Sequence, residues 1–469
     1  MVDSLYYEAP CSVCGGFHNA DDVSVNHDIK FSSDVLRTYL RKLYGADFDY
    51  STDIEPTAWR EVLRIINEAT IEGLAQAQQP PTPEDHFYEQ LRHSNEVFAA
   101  FKVHSMSQQL GDRLLDSNGK LKPFNKWLDE VKPIASHYVG PWLRTEYNTA
   151  VARAHYAADW KTFEANSDIF PNLQWMPTTS PNPDTEHRIF WENKLTRPID
   201  DPFWNKHHPG DRWNCKCTLE PTDEPVTDIP KPEDREKAKP APGLKGNPAM
   251  TGQLFDKSHP YFPKNCKECA FNKKKGSITK NLSKIFVNHK GGCFNCPYMD
   301  GCIELAKNDG FVVKNKYNNG GELLIHPKVE RNKSDYHKIV ELGQFFAKQG
   351  NVVKIPPRIH HKSEEYKNIY KELIGTKYER KCPDLKVGNT FYEFESFERP
   401  WNRNKIKRMI SHGVVQSPYI IIDNSAGCSD RFILKNIYCR LNKNANIQEV
   451  WTYEKGKVRL LFKNKKTGK

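Results

Sequence analysis

Two carboxylates spaced to share one face of a strand, followed by a helix carrying a row of cations, are the residues here best equipped for chemistry. They lie within residues 382–424, CPDLKVGNTFYEFESFERPWNRNKIKRMISHGVVQSPYIIIDN. Leu385–Val387 and Thr390–Ser396 read as two strands around a Gly388-Asn389 turn. Side chains alternate along a strand, so Glu393 and Glu395 fall on one face and Tyr392 and Phe394 on the other. A helix over Arg403–Val415 follows. Its apolar stripe is Ile406, Met409, Ile410 and Val414, and its other side carries Lys405, Arg408 and His412. Tyr419–Ile422 then reads as an apolar strand ending at Asp423. Acids facing cations and a histidine can equip a phosphodiesterase; the same pattern also describes a solvated salt-bridge lattice.

Two mechanisms fit these residue types. A metal-independent ribonuclease must take a proton from a ribose 2′-hydroxyl, stabilise a phosphorane and protonate the leaving 5′-oxygen. His412 or Glu393 would be the base, and Arg408, Lys405 and Arg403 would offset charge on the phosphate. That route leaves a 2′,3′-cyclic phosphate and needs no cofactor. The alternative is a metal-dependent DNA nuclease of the PD-(D/E)xK kind, with Asp384 and Glu393 holding Mg²⁺ and Glu395 in place of the customary lysine. A third reading has no enzyme at all, only a basic domain that binds packaged DNA.

Charge separates this region from the rest. The chain of 469 residues holds 69 Lys+Arg and 59 Asp+Glu. Residues 311–469 hold 32 basic and 16 acidic side chains, leaving 37 basic and 43 acidic in residues 1–310. A cationic C-terminal part beside an acidic N-terminal one points to a polyphosphate partner, since each neutralised phosphate releases counterions. No apolar run is long enough for a membrane span, and the N-terminus lacks a basic segment followed by an apolar one, so no signal peptide is expected.

The 12 cysteines are mostly paired closely: Cys11/Cys14, Cys215/Cys217, Cys266/Cys269 and Cys293/Cys296. Without a secretory signal, such pairs read as metal sites before disulfides. Cys266-x2-Cys269 and Cys293-x2-Cys296 suit a four-thiolate zinc ribbon, with Cys302 and His289 as spare donors. Cys215 and Cys217 form a second candidate with His187 and either His207 or His208. Cys11 and Cys14, with His18 or His27, form a third.

The remaining pattern is helical up to residue 165, with helices expected at Ser32–Tyr44, Pro56–Ala77, Glu84–Gln109, Pro123–Lys132 and Ile134–Ala165. Seven prolines between residues 221 and 248 mark an extended, poorly ordered linker. The C-terminal part adds strands or helices near Gly320–Val329, Asp335–Gln349, Asn351–Ile355, Ser363–Leu373, Arg431–Leu441, Glu449–Tyr453 and Lys457–Phe462. The expected architecture is multidomain: an α-helical domain, a small Cys-rich zinc-ribbon-like module, and a C-terminal α+β domain with a small, mostly antiparallel sheet.

Two resemblances attach to these segments. Arg144, Glu146, Tyr147, Asn148 and Ala150, then Asp201-Pro202-Phe203-Trp204 and Gly210, Trp213, Asn214, Cys215 and Cys217, resemble the phage Mu F-like minor head (head-morphogenesis) proteins. Pro383, Asp384, Gly388, Tyr392, Glu393, Ser396, Lys405, Ile406, Arg408, Gln416 and Ile420–Ile422 resemble the contact-dependent-inhibition tRNA nucleases, grouped as BECR-like ribonucleases. Glu395 departs from that pattern, where many relatives carry lysine. The expected division is a Cys-containing segment 1–30, a head-morphogenesis domain 31–222, a linker 223–250, a Cys-rich module 251–310 and a tRNA-nuclease-like toxin domain 311–469. The resemblances imply a protein of the virion and the bacterial cytoplasm. Its implied partners are portal and capsid proteins, an RNA (tRNA) substrate and an immunity protein, with no membrane.

Overall fold

The computed structural model describes residues 29–77, 86–178, 185–273, 292–397, 401–443 and 445–464. The chain divides into two compact units, 1–306 and 307–469. Among the described residues, no helix is long and apolar enough to cross a membrane.

The first unit is built on five helices: α1 (Ser33–Tyr44), α2 (Pro56–Ala75), α3 (His86–Gly111), α4 (Phe124–Val139) and α5 (Pro141–Ala165). Ser32 caps α1 by accepting the Val35 N–H at 3.3 Å. Glu55 caps α2 by accepting the Ala58 N–H at 2.7 Å, and its other oxygen takes the Lys42 ammonium at 2.6 Å. The helices α4 and α5 divide at Gly140-Pro141, not at Pro133, which sits inside α4. Gly140 has φ −113° and ψ −104°, a backbone outside the helical region, and the proline after it disfavours a helical residue there. Trp59, Ile66, Phe98, Val103, Leu143 and Ala154 are part of the shared core. α2 lies hard against α5 at Gly73, where a Cβ would meet the Val151 carbonyl oxygen at 2.2 Å; only glycine permits that approach.

After α5, three antiparallel strands form a small sheet in the order β2–β1–β3: β1 (Asn172–Met176), β2 (Thr196–Pro198) and β3 (Thr218–Thr222). It has its own core of Trp160, Trp175, Phe190, Trp204, Cys215 and Cys217.

The proline-rich segment 223–250 is not the extended linker that its composition suggests. Ala238, Leu244 and Ala249 are buried, and Arg153 of α5 is fully buried beneath it. Arg153 donates to the carbonyls of Gly246 and Gly210 at 2.6 Å each, of Leu244 at 3.3 Å, and of Leu254 at 2.6 Å. A guanidinium with five donors in a plane can hold several irregular strands of backbone at once, which composition alone does not reveal. Described residues of 251–273 and 292–306 also join the helical core, through Phe255, Phe262, Phe271, Phe294, Met299 and Ile303.

The second unit is a single eight-stranded sheet: β4 (Val312–Lys316), β5 (Glu322–Ile325), β6 (Val352–Ile355), β7 (Leu385–Val387), β8 (Thr390–Glu395), β9 (Tyr419–Asp423), β10 (Glu449–Glu454) and β11 (Lys457–Lys463), in sequence order across the sheet. The expectation of a small sheet is therefore corrected, while four of its seven strand pairings are antiparallel, so the sheet is mixed. β5/β6, β8/β9 and β9/β10 pair in parallel, while β4, β7 and β11 run against their neighbours. The hairpin turns are local and visible in sequence; the parallel pairs are joined across helices, and sequence spacing does not report them.

Helices cover both faces. α6 (Tyr336–Ala347) packs on one face through Ile339, Leu342 and Phe346, against Leu323, Val353, Tyr392 and Phe394. α7 (Asn404–Gln416) and α8 (Asp430–Leu441) pack on the other through Ile406, Met409, Ile410, Ile433 and Ile437, against Ile420, Ile422 and Val450. Tyr392 and Phe394 thus face α6, as the alternation requires, and Glu393 and Glu395 face the side of α7. The carboxyl ends of β5, β6, β8, β9 and β10 share one edge of the sheet, which is where α/β sheets commonly place a site.

Candidate functional site

That edge gathers the acidic residues. Asp384 immediately precedes β7 and Glu395 ends β8, so the antiparallel pairing of Leu385 with Tyr392 brings the two strand ends together. Asp384 Oδ2 accepts the Phe394 N–H at 3.1 Å, and Oδ1 faces the Arg358 guanidinium at 3.4 Å. Arg358 arrives from the loop after β6, the strand beside β7. Glu393 is buried, only 5% exposed, and its Oε2 has no hydrogen-bond partner among the described residues. Asp335, at the start of α6, has a buried Oδ1 in the same condition. A cleft beside Asp384 is lined by Lys333, Asp335, Tyr336, Pro356 and Arg358.

The electrostatics follow from this crowding. Burial pushes the Asp384 carboxyl above its usual range, against the pull of Arg358 and of the Phe394 N–H. Burial, then the Asp384 and Glu395 charges, hold Glu393 well above it. Glu395 is pushed up to about 7 by burial and then by Asp384, with Arg358 opposing. Buried acids that repel each other bind either protons or a cation. Among the described residues these acids do not form a group of three donor atoms within 4.8 Å of one another; paired carboxylates are what they offer a hard cation such as Mg²⁺ or Mn²⁺.

Of the expected cation row, His412 and Arg408 are exposed on α7, Arg403 is exposed at its N-cap, and Lys405 is half-buried in its first turn. The Arg403 guanidinium lies over the Phe432 ring at 5.6 Å. The part of α7 that meets β8 is Gly413, where a Cβ would come 3.3 Å from Glu395 Cγ and 2.8 Å from Ile420. Packing of the apolar stripe on Ile420 and Ile422 turns the charged side outward. Arg358 is the cation the structure supplies instead. It and Asp335 were missed because their approach depends on β6 and α6 lying against β7, a pairing with no local signal.

A second cluster lies in the first unit. His187 closes a short 3₁₀ turn, Thr185–His187, and Cys215 and Cys217 lie in the loop entering β3. His187 Nδ1 is 3.4 Å from Cys215 Sγ and 3.9 Å from Cys217 Sγ, and its Nε2 is 2.8 Å from Asp211 Oδ1. All four residues are buried. Among the described residues, His187, Cys215 and Cys217 form the one group of three donors whose ligand atoms all lie within 4.8 Å of one another. The two neighbouring histidines are turned elsewhere. His208 Nδ1 bonds the Pro209 carbonyl at 2.9 Å, and His207 Nδ1 is 3.9 Å from Asp211 Oδ2.

The four cysteines of the zinc-ribbon expectation do not form such a group among the described residues. The Cys293 thiol is pushed up to about 12 by burial and then by Cys269, Cys266 and Cys296. Cys266 is exposed, and Cys269, Cys293 and Cys296 are partly buried. His289 lies outside the described residues, as do Cys11, Cys14, His18 and His27.

The family match to known proteins lies within the first unit. No solved structure matches the chain. "Putative capsid assembly protein F" of Escherichia phage Mu is 27% identical over 77 residues, which is 16% of this chain and 17% of that protein. The chain therefore spans about a sixth of the length of the curated relative it matches. Residues 117–220 match the family described as Phage Mu protein F like protein. That stretch holds α4, α5, the small sheet and the His187–Cys215–Cys217 cluster, and in it the chain is similar to the Mu F-like proteins of the phage head.

Proposed function

We propose that the chain is a phage head-assembly protein whose C-terminal unit, residues 307–469, is a divalent-metal-dependent nuclease acting on DNA. The first half of this reading rests on the Mu F-like match and would give the first unit other head proteins as partners. The second rests on one observation: Asp384, Glu393 and Glu395 lie at the carboxyl edge of a mixed sheet, near enough for their charges to act on one another and on Arg358, with Glu393 Oε2 buried and without a hydrogen-bond partner among the described residues. A buried carboxylate oxygen among other acids is a donor that a hard cation can use.

Asp384 and Glu393 would hold the metal, which when bound supplies Lewis acidity and a more acidic water. Around it the chain's own groups divide the work. The Phe394 N–H holds Asp384 in place, so the two donor carboxylates keep a fixed relation. Arg358 offsets charge on the non-bridging phosphate oxygens. Glu395, half-buried on the same face as Glu393, takes the proton of the attacking water as the phosphorus–oxygen bond to the leaving strand breaks. The excess of basic residues in this part of the chain favours a polyphosphate substrate. The metal-independent tRNA nuclease reading asks for His412, Arg408 and Lys405 around Glu393, and the geometry gives that reading less support than the metal-dependent one.

The test is cleavage of duplex DNA, single-stranded DNA and total tRNA by the full-length protein, with Mg²⁺, with Mn²⁺ and with EDTA. DNA cleavage that needs the metal and is lost in Glu393→Gln supports the proposal. RNA cleavage that persists in EDTA replaces it with the ribonuclease, and no cleavage of any substrate leaves a binding domain.

A further inference from the structure

We propose that the first unit carries a zinc ion bound by His187 Nδ1, Cys215 Sγ and Cys217 Sγ, with Asp211 as the carboxylate that orients the histidine. This stands apart from the nuclease reading, since every residue it uses lies in the other unit.

The distances are those of a tetrahedral face. Zinc bonds of roughly 2.3 Å to sulfur and about 2.0 Å to nitrogen place N and S donors about 3.6 Å apart around one ion. The observed separations from His187 Nδ1 are 3.4 Å and 3.9 Å. Three protein donors leave a fourth position for a water molecule.

The other side of the ring completes the arrangement. A metal-bound imidazole commonly presents its second nitrogen to a carboxylate, which sets tautomer and orientation. Here His187 Nε2 is 2.8 Å from Asp211 Oδ1, and both residues are 0% exposed. Those two atoms nevertheless lack a well-formed hydrogen bond, as does His207 Nδ1 on the far side of Asp211. A fully buried His–Asp pair with two thiols at its other end is a costly set to bury for packing alone.

Aromatic side chains enclose the site. Trp175 stands edge-on to the His187 ring at 5.1 Å, and Phe190 lies 5.8 Å away, so the ion would be enclosed by the small sheet's aromatic core. It would tie the turn at His187 to the loop entering β3, 28 residues on. His207 and His208 stay outside the ligand set for the reasons of geometry given above.

The experiment counts zinc per chain in the full-length protein, purified without chelator, and in Cys217→Ser and Asp211→Asn variants. Cys217→Ser is expected to lose one equivalent relative to the parent. Asp211→Asn keeps every ligand and is expected to release that equivalent to a competing chelator about 10- to 100-fold more readily. If Cys217→Ser fails to fold, a Cys266→Ser/Cys269→Ser variant reconstituted with cobalt decides. It should still show thiolate-to-cobalt charge transfer, and Asp211→Asn on that background should weaken it. An unchanged zinc count in folded Cys217→Ser overturns the proposal, as does a parent that holds no zinc and takes up no cobalt.

Discussion

Asp384 Oδ2 accepts the backbone N–H of Phe394 at 3.1 Å, which locks the residue before β7 to the midpoint between Glu393 and Glu395. Through this bond the acid of one strand and the two acids of its partner become a single constellation. Neither strand could set that spacing alone, because the side-chain bond crosses the hairpin ladder.

The first prediction concerns Glu393. Glu393→Gln keeps the shape and removes the charge, and is expected to lower metal-dependent cleavage by about 100-fold or more, the rate equivalent of several kcal/mol of lost charge stabilisation. The fold should survive. Its carboxyl is held well above the usual range, so ionising it opposes folding, and the amide removes that cost. A thermal midpoint at pH 8, without divalent ions, that does not fall alongside the activity checks both statements.

Arg358 gives a second, separable outcome. Its guanidinium is more than half exposed and touches Asp384 at 3.4 Å, so its removal costs little stability. Arg358→Ala should lower the rate by about 100-fold if it meets the developing phosphate charge. Arg358→Lys should recover part of the loss, because a point charge replaces part of a planar fork. Turnover at saturating Mg²⁺ for the three proteins decides this.

Arg153 tests the packing of the proline-rich segment. Arg153→Ala would strand carbonyls of Gly210, Leu244, Gly246 and Leu254 in the interior, at a cost on the order of 3 kcal/mol or more. Arg153→Lys should not rescue it, since one ammonium cannot span those positions. Limited proteolysis should show new cutting between residues 223 and 250, and denaturant unfolding should shift to lower midpoints.

His104 sets an acid limit on the first unit. Burial lowers its pKa to about 4, with the nearby Asp53 and Asp49 opposing. Between the ordinary value of 6.5 and about 4 the unfolded chain binds a proton that the folded chain refuses. Stability should therefore fall as pH falls through that window, by up to about 3 kcal/mol. Replacing His104 with glutamine should flatten the slope, read as the unfolding midpoint against pH relative to the parent.

Much of the second unit was legible locally. The Gly388-Asn389 turn, the alternation that separates Glu393 from Tyr392, and the apolar stripe of α7 all depend on residues within a few positions of one another, and the structure keeps them. The helix boundary misplaced at Pro133 shows the limit even of local rules, because tertiary packing carried α4 through the proline to Gly140. For the metal cluster, the spacing of Cys215 and Cys217 and a candidate histidine at 187 were readable. Asp211 was not, though it lies four residues from Cys215, because nothing in the spacing says that it faces the far side of the imidazole.

By itself the amino-acid order determined where strands, turns and helices form, which of their faces are apolar, and that the C-terminal part is cationic. Only the tertiary structure decided that Arg358 meets Asp384, that β8 and β9 run side by side in one direction, and that a proline-rich stretch is clamped inside by Arg153. The physical reason is range. Periodicity and capping act over one or two turns of chain, whereas charge pairing and sheet order join residues tens of positions apart, and their energies are settled only when the elements pack.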